Sequence, residues 1–86
     1  MNLSNECNIC IVLSENNSVI SIGSFHYSIP VNEMCEQLPI VIQKLTQESN
    51  LNLSNIKSYN VNITNKNIHY NTTLRIIDAY FAALLL

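Results

Sequence analysis

Cys7-Asn8-Ile9-Cys10 has the spacing of a redox dithiol or of half a zinc site, and Cys35, His26 and His69 are the residues that would complete a ligand set. The pattern around the pair opposes both chemistries. Asn8 to Leu13 is apolar and rich in β-formers, and residues three apart on an extended strand point to opposite faces, so the two thiols cannot share one ion. No second close pair of cysteines follows, and the three thiols read as small core residues. A thiol nucleophile served by His26 or His69 needs a sharp catalytic turn, and no such turn surrounds Cys35. His26 alternates within a strand and His69 lies in a polar loop. Asp78 and the glutamates fall mostly on helix surfaces, with no catalytic carboxylate pair. A single glycine, Gly23, leaves nothing from which to build a phosphate-cradling loop. The expectation is a chain with no catalytic residue, no cofactor and no metal.

The elements that carry these residues follow from periodicity. After the Asn8–Leu13 strand, Ser14-Glu15-Asn16-Asn17 favours a turn, and Ser18 to Ile29 reads as one long strand or two short ones around Gly23, giving a hairpin or meander. Pro30 breaks the run. Asn32 is placed to cap a helix with Glu33 and Glu36 in its first turn, and Met34, Leu38, Val41 and Leu45 recur at helical spacing on one face. Pro39 predicts a kink in that helix, and Asn50 predicts its end. Ser58 to Thr64 alternates, with Tyr59, Val61 and Ile63 on the buried side. A polar loop then leads to Thr72 or Thr73 as the cap of a second helix, whose inward stripe is Leu74, Ile77, Phe81 and Leu84.

Eighty-six residues make one domain, 1–86, which buries only about 60–65% of its unfolded surface and has a stability of about 4–13 kcal/mol. The apolar fraction of 48% against 12% charged demands a core. The net charge is −2, and Lys44, Lys57, Lys66 and Arg75 are scattered, which argues against direct nucleic-acid binding. Ile76 to Leu86 is apolar but interrupted by Asp78 and shorter than the ~20 residues of a membrane span. Its end, Phe81 to Leu86, is expected to leave an apolar patch open to a partner. The start has no basic stretch followed by an apolar one, so no signal peptide is expected and the location is read as cytoplasmic.

Four segments, in order, carry a resemblance: Cys7-Asn8-Ile9-Cys10-Ile11-Val12-Leu13, Glu36-Gln37-Leu38-Pro39-Ile40-Val41-Ile42-Gln43-Lys44-Leu45, Asn50-Leu51-Asn52-Leu53-Ser54-Asn55-Ile56 and Leu74-Arg75-Ile76. Their order and spacing resemble the first lobe of the TsaB (YeaZ) family. That family has a C-S-V-A-L-like strand after a D-T-S turn, a helix like H-S-E-x-L-L-P-x-I-x-x-L-L, a G-L-x-L-x-D-I connector, and a helix opening with L-R-I after a G-P-G-S-F-T-G loop.

The resemblance implies an α/β fold: a partial actin-like, ribonuclease-H-like lobe with a sheet of three to four strands ordered meander, helix, strand, helix. It also implies a non-catalytic role in forming threonylcarbamoyladenosine on tRNA, beside a TsaD-like catalytic subunit, with a second copy of the chain as a further candidate partner. Leu38, Val41, Ile42, Leu45, Leu74, Ile77 and Phe81 are then expected to supply both core and pairing surface. Three departures accompany it. Asn67-Ile68-His69-Tyr70-Asn71-Thr72-Thr73 replaces the glycine loop, Met34-Cys35 replaces His-Ser, and the second lobe lies outside the 86 residues. No nucleotide binding by the chain alone is expected. Aligned this way, the family's first, central strand falls at or before Met1–Leu3, so the lobe is expected to be shortened, to lack that strand, and to close the gap by pairing Ser58–Thr64 directly with Ile9–Leu13. Loss of activity is left open. The alternative reading is an unrelated small α/β interaction module docking through its two amphipathic helices, and a thiol or zinc protein using Cys7, Cys10 and Cys35 ranks third.

Overall fold

A computed structural model describes residues 7–85. Three strands follow one another as a meander: β1 (Cys7–Ser14), β2 (Asn17–Ile22) and β3 (Phe25–Pro30). Glu15, at φ 52°, turns the chain between β1 and β2, and Gly23, at φ 59°, does so between β2 and β3. Gly23 accepts this left-handed geometry without steric cost, whereas Glu15 does not. Of the two readings for Ser18–Ile29, the pair of short strands is the one formed.

A 3-10 turn (Val31–Glu33) leads into α1 (Met34–Glu48), a second 3-10 turn (Leu53–Asn55) leads into β4 (Ile56–Ile63), and α2 (Asn71–Leu84) follows. The sheet order is β3-β2-β1-β4, with β1 antiparallel to β2 and parallel to β4. The α/β class and the strand-helix order expected from sequence are thus present. The direct pairing of Ser58–Thr64 with Ile9–Leu13 expected from sequence is present as well. β1 is itself central and is hydrogen-bonded on both edges, to β2 through pairs such as Ile11↔Ile20 and to β4 through pairs such as Ile11↔Val61.

Both helices cover one face of the sheet. Ile9, Ile11 and Leu13 of β1 point into that layer fully buried, beside Ile20 and Ile22 of β2 and Ile29 of β3. Met34, Leu38, Ile42 and Leu45 close over them from α1, and Ile77 and Phe81 from α2. Tyr59 of β4 stacks on Phe81 with ring centroids 4.3 Å apart. Ser18, the one hydroxyl buried within β2, is satisfied by donating to the Ile29 carbonyl at 2.8 Å.

Helix ends differ from expectation at the start and agree at the stop. Asn32 sits inside the 3-10 turn without capping it, and the residue at the head of α1 is Glu33, also without a side-chain cap. α2 begins at Asn71 behind Tyr70, so Thr72 and Thr73 lie in its first turn rather than before it. The helix α1 runs through Pro39 unbroken and ends in a Schellman arrangement: Leu51 N–H bonds Thr46 O at 2.8 Å and Asn50 N–H bonds Gln47 O at 3.2 Å. Asn50 takes φ 57°, the left-handed step that asparagine tolerates better than most residues. No helix among the described residues is long and apolar enough to cross a membrane.

Candidate functional site

The thiols are held apart by the strand, as the spacing argument requires. Cys7 is half-buried against the core on the helix side, and burial pushes its thiol above the ordinary range. Cys10 lies on the opposite, open face, and Cys35 is exposed on α1. Among the described residues no group of three or more His, Cys, Asp or Glu side chains gathers where a metal could sit.

Strand register does assemble one polar row that sequence patterning misses. Asn60, Cys10, Ser21 and His26 lie abreast across the open face, one per strand. Each strand alternates legibly, but which residues become neighbours depends on the order of strands, which alternation does not encode. Ser21 Oγ donates to the Cys10 carbonyl at 3.5 Å. His26 and Cys10 are two strands apart, about 9–10 Å, well beyond the roughly 3 Å a proton transfer needs, so the row holds no nucleophile-base pair. His69 is exposed in the loop before α2, far in the chain from either thiol.

The carboxylates closest to titratable partners are engaged in structure. Tyr59 donates to Asp78 at 2.7 Å, and this hydrogen bond, with desolvation and the carboxylate's charge behind it, raises the phenol pKa. Tyr27 donates to Glu48 at 2.7 Å, with the same ordering of causes, and Lys44 lies 5.8 Å over its ring. Tyr80 is raised by burial. Two bonds of this kind tie the helices to the outer strands of the sheet.

The glycine-free loop between β4 and α2 holds its path with side chains instead. Thr64 donates to Leu13 O through both its N–H, at 2.9 Å, and its Oγ1, at 3.1 Å. Asn65 Oδ1 accepts from Asn67 N–H at 3.0 Å, and Tyr70 Oη donates to Glu15 O at 3.0 Å. An open depression of about 680 Å³ lies here between Ser14-Glu15 and Thr64–Asn67. Its charged groups are one carboxylate, Glu15, and one ammonium, Lys66.

The seven residues expected to serve as core and pairing surface are placed almost wholly in the core. Leu38, Ile42, Leu45, Ile77 and Phe81 have no exposed surface, Val41 is buried and Leu74 half-buried. The correction is physical: helical spacing marks the apolar stripe, and in so thin a domain that stripe is consumed by the sheet beneath it. The outward helix surface is carried by other residues, among them Ile40, 48% exposed, Gln43 and Gln47 on α1 and Ala82 and Ala83 on α2, with Leu85 just past its end. The patch expected at Phe81 to Leu86 shrinks accordingly: Phe81 is buried, Leu84 half-buried and Leu85 38% exposed, while Leu86 lies outside the described residues.

Compared with protein-family models, with curated proteins and with solved structures, the chain matches none. What fold and surface define is a small α/β unit with a four-stranded mixed sheet, two helices on one face and an open polar face opposite.

Proposed function

We propose that the chain is a TsaB-like lobe, a non-catalytic cytoplasmic partner in forming threonylcarbamoyladenosine on tRNA that docks on a TsaD-like catalytic subunit. The observation that carries this reading is the topology: a meander, then a helix, then a strand parallel to the central first strand, then a helix on the same face. That plan is the one the actin-like resemblance implies. The segments in α1, the Asn50–Ile56 connector and α2 support the reading alongside the topology.

Docking through the helices falls to their outer residues, since the inward stripe is spent on the core. Ile40 is the largest apolar side chain exposed on α1 and is the natural centre of such a contact. The test is association of the purified chain with the TsaD-family subunit encoded in the same genome, followed by size exclusion and calorimetry. A complex that Ile40→Glu weakens at least tenfold, with unchanged circular dichroism, is the expected result. No association at tens of micromolar overturns the proposal.

A further inference from the structure

We draw no further inference here: the strongest candidate, the apolar cleft where the exposed Leu53 and Leu85 meet beside Ile56 at the start of β4, is an unpartnered face, and nothing in the structure shows what covers it.

Discussion

Replacing Phe81 by alanine separates a core role from a docking role more sharply than any other single change. The ring has no exposed surface and stacks on Tyr59 at 4.3 Å with 12° between planes, while Tyr80 meets it edge-on at 5.2 Å. Truncating a buried phenylalanine costs about 3–5 kcal/mol, including the cavity that remains, and the lost stack accounts for about 0.5–1.5 kcal/mol of that. Against a total of about 4–13 kcal/mol for a domain of this size, such a loss is roughly a quarter of the stability or more. With a urea dependence near 1.5 kcal/mol per molar, the unfolding midpoint should fall by about 2–3 M, and a weakly stable wild type would leave the variant unfolded in buffer. Urea titration followed by circular dichroism reads this directly. Ile40→Ala is the control and should change stability by less than about 0.5 kcal/mol. The reasoning is refuted if Phe81→Ala costs under about 1 kcal/mol, because the side chain would then not be the keystone between α2 and the sheet.

Three further outcomes follow from particular contacts. Tyr59 has its phenol pKa raised in the folded chain, chiefly by the bond to Asp78, so the stability it contributes is complete below about pH 10 and is lost as pH climbs toward the raised value. Asp78→Ala should shift one tyrosine's phenolate absorbance to lower pH, and an unchanged titration would disprove the assignment. Glu15 holds a left-handed backbone, so Glu15→Gly should stabilise by about 0.5–1 kcal/mol in thermal or urea unfolding, and a destabilised variant would refute the strain. Mass spectrometry after limited alkylation should find Cys35 modified first and Cys7 last, since Cys35 is exposed whereas Cys7 is half-buried with a thiol harder to ionise. Equal rates would contradict that order.

Much of the fold was legible in the chain, for reasons that differ by element. Tyr59, Val61 and Ile63 alternate with polar residues without error, so β4 and its buried side could be read directly. Asn50 marked the end of α1 because few residues accept a left-handed step there. Helix starts were not legible: Asn32, Thr72 and Thr73 are good capping residues by type, yet packing of Tyr70 over the β1–β2 turn sets the start of α2 instead. The pairing of Ser58–Thr64 with Ile9–Leu13 was expected and is present, although alternation alone does not choose a strand partner some fifty residues away. The seven helix residues were identified correctly as an apolar set, but spacing alone does not tell a stripe that faces a sheet from one that faces another protein.

The parallel pairing of β1 with β4 also sets an order of assembly. β1, β2 and β3 are joined by short turns and can meet as soon as they are made, whereas the Thr64–Leu13 contact closes a separation of 51 residues. Closing a loop of that length costs roughly 3.5 kcal/mol of chain entropy beyond the fixed part, before any burial repays it. The meander therefore waits on the ribosome with one flank of β1 bare and Ile9, Ile11 and Leu13 covered only in part, by α1, until β4 and α2 emerge. The interval in which this chain is most prone to aggregate falls during its own synthesis, and slowing translation between α1 and β4 should lengthen it.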